Sequence, residues 1–199
     1  MANFSSAFGY DVYIVPLDAA EVDLSFTGIT NAASFITTTT PVAPGAVISY
    51  ASGIFTVGGT ALDMDGTDAP FRLAGLTNAS LETDVNTEEI VTYDDETKGF
   101  NISLPTSKTW SVSLAGIADF KDSGYHALRL TEQNTVADAL RVKFLRIGPT
   151  GTDEALYGYG TINGYTESIE AGSIASWEAT LQGYGPYRVD PDFNVAASS

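Results

Sequence analysis

Cysteine is absent from the 199 residues, which excludes disulfide frameworks, thiol catalysis and cysteine-ligated zinc within the chain. A single histidine, His126, excludes metal sites that need several histidines from one chain. Basic residues are scarce, because 9 Lys and Arg stand against 25 Asp and Glu, for a net charge of -16. Phosphates and anionic lipids repel such a chain, so we expect it neither to wrap around nucleic acid nor to dock on an anionic membrane.

Long hydrophobic runs are also missing. Residues 24–62 contain no charged side chain, but Thr, Ser, Gly and Pro interrupt them, so they lack the roughly 20 consecutive apolar residues of a spanning helix. The N-terminal residues 1–4 have no basic stretch of the kind that begins a secretory signal. The 10 Phe, 10 Tyr and 2 Trp nevertheless predict a packed globular core of one domain, with or without an appendage.

Period-two alternation is the main structural pattern in the second half of the chain. In residues 110–116 the apolar Trp110, Val112 and Leu114 alternate with small residues, which predicts a half-buried strand. Asp122 or Ser123 then provides an N-cap for a short helix. The sequence therefore predicts a mainly β protein, a β-sandwich or partial barrel with one short flanking helix. Further strands are predicted over residues 9–17, 47–57, 80–85, 140–147, 154–170 and 174–182.

Residues 87–108 are predicted to be a long extended loop between two strands, within which Ile90 and Val91 could form a short strand of their own. The first half of this segment is acidic, and the segment also contains Gly99 and Pro105. Loops of this length within a compact domain are uncommon and usually functional.

Candidate chemical sites are weak. Asp63, Asp65 and Asp68 surround a glycine and are a partial match to a calcium loop, but a third ligand before the glycine is missing and Arg72 occupies the Glu position. The neighbouring acids at 94–96 suit a solvated loop tip better than a glycosidase pair. His126 has no nucleophile motif to accompany it. We therefore predict no catalytic residue, no cofactor and no metal, and not an enzyme.

The order of features points to a family. A strand ends near residue 84, the acidic loop follows, and then come the strand at 110–116, the capped helix and the strand at 140–147. The glycine- and tyrosine-rich segment 157–162 and the closing segment 176–185 complete the order. Over residues 80–187 this pattern resembles the tail-tube (major tail) proteins of long-tailed bacteriophages.

The resemblance implies an architecture and an assembly. It implies a sandwich at 80–187 with the long loop at 87–108. An N-terminal β-rich region at 1–79, which matches the pattern less well, precedes the sandwich, and an extended tail at 188–199 follows it. The resemblance further implies six copies in a ring, stacked rings, and strands that join an inner β-barrel through which DNA passes without specific binding. The long loop would reach a neighbouring subunit or ring. The implied assembly residues are Thr87, Glu88, Glu89, Tyr93, Asp94, Asp95, Glu96, Lys98, Phe100 and Lys108.

The resemblance also implies partners and a location. Tape-measure and tail-terminator proteins are the expected partners, with a sheath protein if the tail contracts. The expected location is the phage tail in the virion, after assembly in the cytoplasm of a bacterial host. Two alternatives stay open: a secreted-type or surface β-sandwich that binds carbohydrate or calcium, and a related tube of a contractile secretion machine.

Overall fold

The computed structural model describes residues 9–36, 42–43, 45–52, 54–62, 70–91, 101–149, 154–191 and 193. Ten strands and two α-helices follow one another in this part of the chain. The strands are β1 Asp11–Leu17, β2 Ile48–Ala51, β3 Ile54–Val57, β4 Thr60–Ala61, β5 Phe71–Arg72, β6 Leu76–Val91, β7 Asn101–Ile117, β8 Arg141–Ile147, β9 Ala155–Ser168 and β10 Ser176–Asp190. The helices are α1 Ala32–Ile36 and α2 Ser123–Asn134, and a 3-10 turn spans Ala19–Glu21.

Seven of the strands form one antiparallel sheet in the order β5-β1-β8-β9-β10-β7-β6. The remaining three strands form a small sheet in the order β2-β3-β4. The N-terminal strand β1 lies inside the large sheet, between β5 and β8. The domain division expected at residue 79 falls within β6, and the expected tail from residue 188 begins within β10.

The large sheet divides into two layers because β9 and β10 are long and bend. The first half of β9 pairs with the second half of β10 on one side and with β8 on the other. The second half of β9 and the first half of β10 instead continue into β7 and β6. We call this four-stranded part, β9-β10-β7-β6, sheet I. Glycines permit the close packing at the bend, since a Cβ on Gly160 would lie 2.8 Å from Leu181.

The core lies between sheet I, the β1–β8 layer and α2. It includes Trp110, Val112, Phe144 and Trp177. The guanidinium of Arg146 reaches across from β8 and donates to the carbonyl oxygen of Ala79 on β6 at 3.0 Å. The two layers are thus linked at one side by a side chain, and the sheets of the described residues do not close into a barrel.

Helix α2 begins where the sequence predicts. The Asp122 carboxylate accepts from the backbone N–H of Tyr125 at 2.9 Å and from that of Ala74 at 3.2 Å. It therefore caps the helix and ties it to the chain that precedes β6. Gly124 lies against β5, because a Cβ there would be 2.1 Å from the carbonyl oxygen of Arg72.

The opposite face of the β1–β8 layer is covered by residues 18–36, which include α1. Phe26 and Phe35 pack there on Tyr157 and Tyr159, with ring centroids 5.0–6.1 Å apart. This cover ends before sheet I. The predicted fold class, mainly β with a short flanking helix, is confirmed, whereas α1 was not predicted.

Candidate assembly surfaces

The hairpin β6–β7 extends beyond the body of the protein. Strand β10 pairs with β7 only from Ile117 to Ser111, whereas β6 stays paired with β7 as far as Val91 and Asn101. We call residues 83–91 and 101–109 the arm, and its roughly nine residues per strand span about 30 Å. Residues 82–90 and 103–109 are all exposed. A two-stranded hairpin exposed on both faces is marginally stable alone, so this geometry suits a segment that another chain covers.

The arm corrects the prediction of a loop at 87–108. Residues 87–91 and 101–108 are strand, and a register shift after Asn86 leaves Thr106 as an extra residue. Pro105 lies beside this bulge on a free strand edge, the two settings in which strands tolerate proline. The prediction of a loop was therefore wrong for these residues, except at Ile90 and Val91, where a short strand was allowed.

The predicted assembly residues divide into two groups. Thr87, Glu88 and Glu89 lie on β6 near the end of the arm, and Lys108 lies on β7 near its base. The Lys108 ammonium sits 5.2 Å from the centre of the Tyr187 ring. The others, Tyr93, Asp94, Asp95, Glu96, Lys98 and Phe100, lie outside the described residues.

Trp110 fills the fork where the arm leaves β10. Its indole N–H donates to the carbonyl oxygen of Gly185 at 2.7 Å, and its ring meets Tyr187 edge-on at 5.6 Å. Gly183 lies directly beneath, since a Cβ there would be 2.2 Å from the indole. A cleft of about 660 Å³ opens between the arm and β10 at this point. The prediction from periodicity that Trp110 belongs to the core is confirmed. Its position at the fork was not predicted.

Sheet I has two unpaired edges in the described part of the chain. One is β6, which is the last strand of the sheet and has no described strand beyond it, although its Ala79 carbonyl accepts from Arg146. The other is β9 from Thr161 to Ser168. There β10 pairs with one side of β9, but the pairing with β8 on the other side extends only as far as Gly160 of β9. Free edges of this length are templates for pairing with another chain.

One face of sheet I is polar and uncovered. Buried Leu181, Val112 and Leu114 point to the core, and the residues alternating with them point outward. The outward set holds hydroxyls, amides and carboxylates, and neither Lys nor Arg occurs in it. Its members are Asn78, Ser80 and Glu82 on β6, Ser111 and Ser113 on β7, Glu178, Thr180 and Gln182 on β10, and Thr161, Asn163 and Thr166 on β9.

The other candidate sites have structural roles or lie outside the described residues. His126 Nε2, in α2, lies 2.8 Å from the carbonyl oxygen of Phe120, which precedes that helix. Asp63, Asp65 and Asp68 are outside the described residues. Among the residues that are described, no cluster of three or more His, Asp and Glu side chains is placed to hold a metal. No helix in that part of the chain is long and apolar enough to cross a membrane.

Comparison with known families decides the identity. Residues 62–189 match the family of phage tail tube proteins. The chain belongs to the phage tail tube protein family. It is a structural protein of the virion tail, and a carbohydrate- or calcium-binding module is not favoured. No match was found among curated proteins.

Solved structures agree on the fold of this tail tube protein. The tail of an empty GTA particle, determined with C6 symmetry, is 19% identical, with a TM-score of 0.50, over 65% of this chain and 92% of that one. The baseplate of the anti-feeding prophage, determined with sixfold symmetry, is 9% identical, with a TM-score of 0.51, over 96% of this chain and 97% of that one.

Proposed function

We propose that six copies of this tail tube protein form a ring by pairing the free edges of neighbouring sheets I. The observation that carries this proposal is the direction of the edge strands. Sheet I has four antiparallel strands, so β6 and β9 at its two edges run in opposite directions. Copies related by rotation therefore present β6 of one to β9 of the next in antiparallel orientation, and pairing continues around a closed ring.

Closure removes both exposed edges at once, which is the physical advantage of a barrel. Six copies of four strands make a barrel of 24 strands. The copy number is supported by the sixfold symmetry of the GTA tail, whose subunit shares this fold. The extension of the same ring into a stacked tube is part of the proposal, with the arm as the contact between subunits or rings.

The polar face of sheet I is the surface that we assign to the lumen. Hydroxyls, amides and the carboxylates of Glu82 and Glu178 offer no cation to DNA phosphates, so the polymer slides past without being held.

Three cations on β8 and the second half of β10 share this face of the large sheet, and each is held against an aromatic ring of its own subunit. Arg141, Lys143 and Arg188 lie 5.0, 5.5 and 4.4 Å from the centres of the Tyr184, Phe35 and Phe26 rings. This arrangement supports a conduit for DNA without specific binding.

The proposal extends to partners and location. A tape-measure protein inside the tube, a terminator at its end and, in a contractile tail, a sheath outside it are the partners that such a tube needs. Assembly in the host cytoplasm belongs to the same proposal. No catalytic role is proposed.

A proline at the β6 edge tests the ring contact. The Ala79 carbonyl accepts from Arg146 and so points away from β7, and Thr83, four residues along the strand, shares this outward orientation. Thr83→Pro removes an outward N–H and leaves the pairing with β7 intact. We expect a folded monomer that forms no rings, seen by light scattering and electron microscopy.

The matched control is Thr83→Ala, which loses the same side chain but keeps the N–H and should assemble normally. Normal rings from Thr83→Pro would refute pairing through this edge.

A further inference from the structure

Exposed large apolar side chains lie at the two ends of sheet I. At one end, the part of the arm beyond the Thr106 bulge carries Ile90 and Leu104, 41% and 46% exposed. At the other end, past the last residue of β7, Phe120 is 52% exposed and Val47 75%. Exposing side chains of this size to water costs free energy, so each of these two surfaces suits a contact with another copy.

The end of the arm has one amphipathic face. Glu88 is paired directly with Leu104, and Ile90 follows Glu88 by two residues, so all three side chains point the same way. This face presents two apolar groups beside one carboxylate. The bulge at Thr106 sits between this face and the polar face of sheet I, and a bulge bends its strand and increases its twist. The amphipathic face is thereby turned relative to the surface assigned to the lumen.

The opposite end of the protein holds a cleft of matching character, which we call the Phe120 cleft. Its volume is about 260 Å³, and a hydrogen bond of 2.8 Å from the Gly45 N–H to the Lys121 carbonyl joins its two sides. Two apolar groups, Val47 and Phe120, flank the exposed ammonium of Lys121, for which the described residues provide no carboxylate partner. The lining residues are Gly45, Ala46, Val47, Ile48, Phe120, Lys121 and His126.

We propose that the arm end of one copy, through Glu88, Ile90 and Leu104, docks in the Phe120 cleft of a copy in the next ring. Leu104 lies 13 residues from the end of β7 at Ile117, which separates the two surfaces by about 43 Å along one direction. Surfaces that differ and lie at opposite ends cannot meet within one copy, but they meet when copies stack head to tail. Charge is complementary, since Glu88 meets Lys121 and the apolar groups meet apolar groups.

This contact rests on the proposed tube but is separate from the ring contact. Ring closure uses the edges of β6 and β9, whereas stacking uses the arm end and the Phe120 cleft. Variants at the docking surfaces are therefore expected to leave rings intact and to remove only long tubes.

Site-specific cross-linking tests the contact, and the absence of native cysteine makes it clean. Leu104→Cys and Phe120→Cys proteins are treated with a short bis-maleimide, separately and mixed. We expect cross-linked dimers only in the mixture, and a ladder of higher oligomers from the double variant. Ser113→Cys, on the polar face of sheet I, replaces Leu104→Cys as the control and should give no product.

A charge exchange provides the second measurement. Glu88→Lys and Lys121→Glu should each raise the protein concentration needed for tubes by about tenfold, because many such contacts act together in one stacked ring. The double variant should return to within about twofold of the original value. Asp84→Lys, closer to the arm base, combined with Lys121→Glu should not recover.

The outcomes separate the two proposals. Tubes without a 104–120 cross-link, cross-links within the Leu104→Cys protein alone, or a double charge variant that fails to recover would each overturn this docking while leaving the tube in place. A parent protein that forms neither rings nor tubes would overturn the proposed function itself.

Discussion

Gly183→Ala tests the geometry at the fork where the arm leaves β10. The added Cβ would lie 2.2 Å from Cε2 of Trp110, and contacts under 3.0 Å essentially do not occur, so the indole must move by about 1 Å or more. Three neighbours oppose that movement. The indole N–H is bonded to Gly185, the ring meets Tyr187, and Gly158 already lies close beneath the ring.

The magnitude follows from these contacts. Overpacking a filled site costs about 1–3 kcal/mol, and losing the hydrogen bond to Gly185 adds about 1 kcal/mol. A total of about 2–4 kcal/mol corresponds, for a chain of this size, to a fall in melting temperature of about 10 °C. Thermal unfolding followed by circular dichroism measures this fall. The tryptophan fluorescence of the folded protein, which comes from Trp110 and Trp177, should also change.

A second substitution shows whether the clash is the cause. Trp110→Phe makes room for the new methyl group, so Gly183→Ala should cost far less in that background than alone. A melting temperature within 2 °C or so of the parent for Gly183→Ala, or simple additivity with Trp110→Phe, would show that the indole does not occupy the position described.

The remaining predictions concern two carboxylates. Asp122→Ala should lower the free energy of unfolding by about 2 kcal/mol, because it leaves the N–H groups of Tyr125 and Ala74 without their acceptor, and Asp122→Asn should recover most of that loss. Burial raises the pKa of Asp122. Its contribution to the free energy of unfolding is therefore largest below the unfolded pKa near 3.8 and is lost as the pH rises through the folded pKa. Asp122→Asn should remove this pH dependence, as measured by urea titrations at several pH values. Hydrogen bonds from Ser25 and Thr27 hold the pKa of Asp23 at about 2, so its contribution is present above 3.8 and is lost as the pH falls to about 2. An unchanged acid titration of stability in Asp23→Asn would contradict the second case.

Much of the fold could be predicted because burial leaves a period in the sequence. Trp110, Val112 and Leu114 alternate with small residues since one face of their strand meets the core and the other is open. The cap at Asp122 could also be predicted, because the free backbone N–H groups at a helix N-terminus need an acceptor in any surroundings.

The arm could not be predicted for the converse reason. Residues 82–90 are exposed on both faces, so no core imposes an alternation on them, and Pro105 indicates a loop unless the free edge and the bulge are known. The remaining signal is the content of β-branched residues, such as Thr87 and Ile90, which is typical of strands.

Long-range pairings were also out of reach. The position of β1 beside β8 joins residues about 130 apart in sequence, and the division of the sheet depends on where β8 stops along β9. The free edge of β9 in the proposed assembly exists because β8 stops before the end of β9, and no local sequence pattern predicts where β8 stops.

Electron microscopy of the purified protein across a concentration series is the decisive test of ring and tube formation. We expect rings at low concentration and hollow tubes at high concentration, with sixfold symmetry in averaged end views and sheet I facing the channel. Monomers at every protein and salt concentration, or filaments without a central channel, would contradict this expectation.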